Sequence, residues 1–511
     1  LIKWAVKKIN KGIEKVSRAT WKLRIGANAY ESNSSSKRFA GLKTTNRGIN
    51  SLIRANIQNI TKTARAVSRS NPHAIAAADS FVADGIGTGI RPQSSHPDSE
   101  MRRRMQAVWS LWVNQADPEG QLSFYGQQMV AWNAMFEGGE CLGRFRPRLP
   151  QDGLTVPVQL QLLEPEHLDM GKEEAFNGNK IVNGIEYNRI GQRAAYHLFR
   201  NHPGELILGS SNFKSTRVPA EDMIHVFRPR RPGQSRGLTW LNGILLKLFE
   251  LDKYDDGELM RKQISSFLVG YITDLEGELD QNIQNNDDGS GDLDPVLEPG
   301  TLTRLQPGLD VKFNQPTSDA QYTEFWRAQM STVAAASHTL YHKLTGDLRG
   351  INFSSIRAGI IDLQRKTQMI QQNVFVYQFC RPTWIRVIDT AVLSGAIDLP
   401  GYLEDPTPFR QANWIPQGQE WVDPVKAAAS NKLQIESRTK SISKCIREKG
   451  EDPEEVFREI AAEQKLMREL GIDNPQAVMD TVTTALVTAP TDNQDPLPTQ
   501  NQNHQDETKV A

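Results

Sequence analysis

Gly233-Gln234-Ser235-Arg236-Gly237 is the stretch whose residue types could do covalent chemistry, because G-x-S-x-G is the spacing that puts a serine on a sharp turn between strand and helix. A strand is expected upstream, at Met223 to Phe227, and a helix downstream. The elbow needs the serine directly after the strand, whereas seven residues intervene, among them Pro229, Pro232 and three arginines. A serine hydrolase using Ser235 therefore stands only as an alternative. His338 and His342 are four apart, the spacing that lets two imidazoles share a metal on one helix face, but Thr339 occupies the place of the HExxH glutamate. Two helix-surface histidines are expected instead. Gly85, Gly87 and Gly89 form G-x-G-x-G after a helix, not the G-x-G-x-x-G after a strand that cradles a dinucleotide, and Gly171-Lys172 lacks the rest of a P-loop. Asn285 to Asp294 is acidic enough to attract Ca²⁺, yet the register that puts Gly289 at loop position six puts Pro295 where the bidentate glutamate belongs. Cys141, Cys380 and Cys445 lie far apart, against a disulfide framework or a thiolate zinc site. No enzyme activity, cofactor or metal is expected.

The elements that would position these residues are legible in the pattern. Asn71-Pro72 is a helix start, with Asn as N-cap and Pro at the first helical position, and the Ala-rich run after it stops at Gly85. Helices follow at about 99–115, with Met105, Val108, Trp109 and Trp112 on one face, and at about 121–137. After Gly138-Gly139 short mixed segments separated by Gly, Pro and Asn predict antiparallel strands at 140–147, 156–163, 181–187, 193–200 and 222–227. Residues 71–235 thus read as an α+β domain. A long helix at 238–268 carries Leu241, Ile244, Leu245, Leu248 and Leu251 as an apolar stripe. A second helix is expected at 317–343, a glycine-bounded loop from Thr345 to Phe353, and a third long helix from about 354 to 394, with Ser354 as its N-cap.

Charge is distributed unevenly. The 511 residues sum to zero, but residues 1–70 hold sixteen Lys/Arg against Glu14 and Glu31 alone, so the rest of the chain is acidic. A basic arm suggests nucleic acid, an anionic membrane or an acidic protein surface as its partner, and an adaptor acting through residues 1–70 is a further alternative. Residues 2–16 can form a basic amphipathic helix, while Ser32 to Ser36 should be loose. Between Asp274 and Asp294 lie eight acidic and no basic residues, too many like charges to pack inside one subunit. No apolar run reaches the roughly 18 residues of a membrane span, and residues 1–16 do not form a signal-peptide core. Neither secretion nor a membrane span is expected.

The order of parts resembles the lambda-type bacteriophage portal proteins. The likeness is carried by Arg69-Ser-Asn-Pro-His73 leading into Ala83-Asp-Gly-Ile-Gly-Thr-Gly89, by Gly184-Ile-Glu-Tyr187 followed by Ala195-Tyr-His-Leu-Phe199 and His202-Pro203, and by Ile224-His-Val-Phe227 with Gly233 to Gly237. Trp414-Ile-Pro416 and Lys449 to Phe457 continue it, so that it covers about residues 60–472.

The resemblance implies a portal-type fold assembled as a ring, typically of twelve subunits, at one capsid vertex through which double-stranded DNA is packaged and ejected. It implies, after a basic arm at 1–70, a wing at 71–235, stem helices at 236–269 and 317–344 and a clip at 270–316. A tunnel loop follows at 345–353, a long wing helix and return segment at 354–423, a helical crown at 424–475 and a disordered tail at 476–511. The implied partners are other copies of the chain, DNA in transit, the terminase large subunit, major capsid and scaffold proteins and the head–tail adaptor, in the virion and, during assembly, the host cytoplasm. Glu276, Glu278, Asp280, Asp287 and Asp288 would dock motor or tail, and Lys343 and Arg349 would line the tunnel. Phe249, Tyr254, Phe375 and Phe379 are candidates for the interface between subunits or for packing within one.

Overall fold

The computed structural model describes residues 45–173, 178–205, 214–266, 270–274, 309–313, 322–350, 352–418 and 424–471. They divide into two compact units that part after Trp414.

The first unit opens on α1 (Ile49–Ser70) and α2 (Pro72–Gly85), which share Asn71 as a double cap. Its amide donates back to Val67, and its side chain accepts from the amides of His73 and Ala74 at 3.0 Å, so one residue closes a helix and opens the next. The expected start and the stop at Gly85 are both observed. The boundary of the basic arm is corrected: α1 lies within residues 1–70, yet it buries Ile53, Ile57, Thr61 and Ala64 and belongs to the body. Four basic residues, Arg54, Lys62, Arg65 and Arg69, had masked its 3–4 apolar spacing.

After β1 (Arg91–Ser94) come α3 (Ser99–Val113) and α4 (Phe124–Glu137), then β2 (Glu140–Pro147) and β3 (Val158–Leu163). The next strands are β4 (Lys180–Val182), β5 (Ile185–Tyr187), β6 (Arg193–Leu198), β7 (Thr216–Pro219) and β8 (Met223–Phe227). They form two antiparallel sheets of order β3-β2-β8 and β4-β5-β6-β7. The architecture is α+β, as the pattern implied. The single strand expected at 181–187 is instead a tight hairpin, because Asn183 and Gly184 take φ of 54° and 81°, the two positive values that a two-residue turn requires.

Two further helices follow, α5 (Leu245–Ser266) and, after the antiparallel pair β9 (Gly270–Asp274) and β10 (Leu309–Phe313), α6 (Tyr322–Ala336). α5 begins later than expected, since Trp240–Gly243 winds as a 3₁₀ turn, but Leu241, Ile244, Leu245, Leu248 and Leu251 are all buried. The helix expected over 317–343 breaks. Ser337 returns its hydroxyl to the Val333 carbonyl, His338 turns to a φ of 57°, and a short helix α7 (Tyr341–Thr345) starts afresh. His338 and His342 therefore do not share a helix face.

The third long segment runs as α8 (Phe353–Ile370), a π-helical stretch Gln371–Cys380 and α9 (Arg381–Leu393). Its N-cap is Asn352, which accepts from the Ser355 amide at 2.8 Å, and not Ser354, which falls inside the first turn. Phe375 and Phe379 are fully buried, 5.1 Å from Trp132 and 5.6 Å from Phe124 respectively, so these two pack within the subunit. Phe249 and Tyr254 are exposed. The first unit ends within β11 (Ala412–Ile415), the partner of β1.

In the second unit α10 (Pro424–Glu436), α11 (Ile442–Glu448) and α12 (Pro453–Glu469) bear out a helical C-terminal segment. Pro453 is its one buried residue among those described from 425 to 471.

Candidate functional site

α7 and the loop after it hold the two cations expected to line a channel, Lys343 in the helix and Arg349 in the loop. Gly346 and Gly350 take φ of 69° and 72°, which only glycine adopts without strain, so the chain reverses on either side of Asp347, Leu348 and Arg349. Asp347 organises the turn: it accepts from Arg327 of α6 at 2.7 Å, from Tyr341 at 3.2 Å, and from the Arg349 side chain at 2.9 Å and amide at 3.0 Å. Bonds from Arg349 and Arg327 hold its carboxyl well below the usual range. Two guanidiniums on one carboxylate leave the turn with a net positive charge. The Arg349 side chain is 78% exposed, and Leu348 beside it is exposed too. Lys343, one turn back, reaches inward to the Asp84 carboxylate of α2. The two cations thus sit in different settings, one at the tip and one as a strut. Asp84, which pairs with Lys343, and Arg327, which shares Asp347 with Arg349, carried no sequence signal, because the spacing that brings them in is tertiary.

Ser235 is not a nucleophile elbow. It is 1% exposed, its hydroxyl donates to Asn50 at 3.0 Å and accepts from Asn183 at 3.0 Å, and its amide donates to Asn50 at 2.9 Å. The motif is a latch. Gln234 accepts from the amides of Arg230 and Arg231 at 2.9 and 3.3 Å, and Arg236 reaches the fully buried Glu140 at 2.7 Å. Glu140 also accepts from the Gly237 amide at 2.7 Å and from His225 Nε2 at 2.8 Å, while Arg193 donates to His225 Nδ1 at 3.0 Å, which fixes the neutral tautomer. Burial alone would raise Glu140, but Arg236 and His225 outweigh it and hold the carboxyl at about 2. Burial pushes His225 down to about 4. Gly237 and Gly139 approach so closely that a Cβ on the former would lie 2.0 Å from the Gly139 carbonyl, and one on the latter 2.3 Å from the Leu238 carbonyl carbon.

His338 stands in the α6–α7 break with its ring edge-on to Trp240 at 4.8 Å and Arg228 donating to its Nε2 at 3.2 Å. Burial and the charges of Arg228 and Arg230 push it down to about 4. Glu164, Glu166 and His202 lie close enough to admit an ion, but Arg65 already occupies the carboxylates, at 3.3 and 2.8 Å. Cys141, Cys380 and Cys445 are unbridged. Glu276, Glu278, Asp280, Asp287 and Asp288 lie outside the described residues, as do the Asn285–Asp294 stretch, residues 2–16 and the tail. No helix among those described is long and apolar enough to cross a membrane.

The chain thus carries a glycine-bounded loop after paired helices, joined by a buried latch to an α+β body. The family model for phage portal proteins, lambda family, matches residues 35–371. The chain belongs to the lambda family of phage portal proteins. It is 29% identical over 389 residues to the probable portal protein of Halomonas phage phiHAP-1, covering 74% of this chain and 73% of that one. Portal protein B of Escherichia phage lambda is 21% identical over 358 residues, 62% of this chain and 64% of that one. Among solved structures, a chain in the neck of an empty gene transfer agent particle computed with C6 symmetry aligns over 78% of this chain and 94% of its own at 16% identity, with a TM-score of 0.41.

Proposed function

We propose that copies of this chain close into a ring, typically of twelve, at one capsid vertex, and that double-stranded DNA enters and leaves through its centre. The observation that carries the reading is the lambda portal family match across residues 35–371. In this reading residues 71–235 are the wing, 236–269 and 317–344 the stem, 270–316 the clip, 345–353 the tunnel loop, 354–423 the long wing helix and return, and 424–475 the crown. The terminase motor and later the head–tail adaptor dock on the clip through Glu276, Glu278, Asp280, Asp287 and Asp288, and the capsid and scaffold proteins surround the wing. The virion is its final place and the host cytoplasm the place of its assembly.

Exposed apolar side chains support self-association. Leu246, Phe249, Leu259 and Met260 on α5 and Phe325 on α6 are all exposed, which suits helices that meet a neighbouring subunit. Ring closure needs two different faces of one subunit to meet in its neighbours. Purified protein imaged in negative stain should show rings with a central hole, and a monodisperse monomer at micromolar concentration would refute the reading.

In this proposal Arg349 lines the tunnel at the loop tip, and Lys343 lies at the tunnel wall behind it, held by Asp84. A tip arginine repeated around an axis touches successive phosphates without reading bases. Replacing both by alanine should leave rings intact while lowering packaged or retained DNA, with the larger effect at low salt. Virions that package full-length DNA at normal yield would remove both residues from the tunnel.

A further inference from the structure

Several arginines of the first unit reach a carboxylate: Arg65 has Glu166, Arg217 has Glu186, Arg236 has Glu140, Arg327 has Asp347, Arg386 has Asp222 and Arg410 has Asp389. On and just past β2 three arginines stand side by side instead. Arg144 and Arg146 on β2, and Arg148 directly past its end, alternate with Phe145 and Pro147, so Arg144 and Arg146 point to one side of the sheet while Phe145 is buried in the core on the other. Their positions advance about 6.8 Å per pair of residues along the strand.

Their neighbours are neutral amides. Gln161 lies opposite Arg144 and Gln159 opposite Arg146 in the β2–β3 register. Each glutamine accepts from the Nε of the next arginine along, Arg146 to Gln161 at 2.8 Å and Arg148 to Gln159 at 2.7 Å. Gln159 is itself anchored, donating to the carbonyls of Gln115 at 2.9 Å and Asp117 at 3.1 Å. Among the described residues none of the three arginines pairs with a carboxylate. Burial and the charges of Arg144 and Arg148 lower Arg146, the mark of cations held together without compensation.

A guanidinium tied at Nε keeps its full charge and presents its two outer nitrogens as a fixed fork, the geometry that takes an oxyanion bidentately. Two such forks, at Arg146 and Arg148, with the Arg144 guanidinium in line before them, suit a ligand that is itself a line of oxyanions. We propose that the Arg144–Arg146–Arg148 face of β2 is a binding site for the phosphodiester backbone of duplex nucleic acid, independent of base sequence. The alternative occupant, an acidic polypeptide, would want aromatic or aliphatic anchors at the centre of its interface, and this face offers arginines and glutamines there. Nothing in the proposal needs the ring, since a single chain carries the whole ladder.

The test is equilibrium binding of a short random-sequence DNA duplex to the full-length protein over a range of salt concentrations, with melting temperature measured in parallel. Other basic segments contribute to total affinity, so the readout is the difference between variants. R144Q/R146Q/R148Q should bind at least about tenfold more weakly at low salt and reduce the slope of log affinity against log salt by about 2 to 3, one for each lost phosphate contact. Q161E sets a carboxylate between Arg144 and Arg146 without disturbing the anchored Gln159. It should reduce the slope by about 1 to 2 with the melting temperature unchanged. Should the triple variant fail to fold, Q161E still decides. An unchanged slope in folded Q161E overturns the proposal, and so does displacement of Q161E-sensitive binding by polyglutamate at concentrations where competitor DNA has no effect.

Discussion

Glu140 accepts from Arg236, His225 and the Gly237 amide in a site with no solvent exposure. Removing its charge strands a buried guanidinium, and Glu140→Gln should cost about 3–5 kcal/mol, measured by denaturant unfolding. The same site sets an acid limb of stability. Glu140 binds its proton more tightly unfolded, at 4.5, than folded, at about 2. His225 does likewise, at 6.5 against about 4, and His338 adds to it. Stability present at neutral pH is therefore lost as pH falls, first from 6.5 toward 4 and then from 4.5 toward 2. His225→Gln keeps a donor for Glu140 and removes one titration, so its denaturation midpoint should fall less steeply between pH 6.5 and 4. At this scale the motif singled out Ser235, and the seven residues after the strand already argued against a nucleophile there. Its partners Asn50 and Asn183 lie too far away in sequence for any motif to join them.

Helix starts and apolar faces were legible because their signals are local. Asn71-Pro72 states its own geometry, and Met105, Val108, Trp109 and Trp112 are buried as their spacing requires. What stayed hidden was decided by contacts. The break at His338 follows no glycine or proline, and α1 packs an apolar face that its basic residues disguised. The Asn183-Gly184 hairpin is different, since a two-residue Asn-Gly turn is a recognised signal that the strand pattern on either side overrode. Two glycines of one motif give a test at this scale. Gly233 takes a φ of 76° with open space around it, so Gly233→Ala should cost about 1 kcal/mol. Gly237→Ala drives a Cβ to 2.0 Å from the Gly139 carbonyl and should cost at least about 3 kcal/mol. Equal melting temperatures for the two variants would mean that the close approach is relaxed in solution.

Across the whole molecule, apolar surface is spent unevenly. The first unit builds an aromatic core around Trp109, Trp112, Trp132, Trp384, Phe124 and Phe379, whereas the second leaves Val425, Leu433, Ile442, Phe457, Ile460, Leu466 and Leu470 exposed. Such a distribution suits a chain finished by its neighbours. Leu259→Glu with Met260→Glu on α5 should change the unfolding free energy of the isolated chain by no more than about 0.5 kcal/mol while abolishing higher oligomers in sedimentation velocity. Intact rings in that variant would move the interface off α5. The joint between Gly139 and Gly237 adds a mechanical consequence. Two backbones in contact from both sides, pinned by a buried ion pair, leave no slack for rotation, so torque on the root of α5 passes to the sheet as through a welded bracket. The α6 side carries no such joint, since Ser337 to Leu340 interrupt the helix there, so a load on the two helices would be taken up at that break before it reached the root of α5.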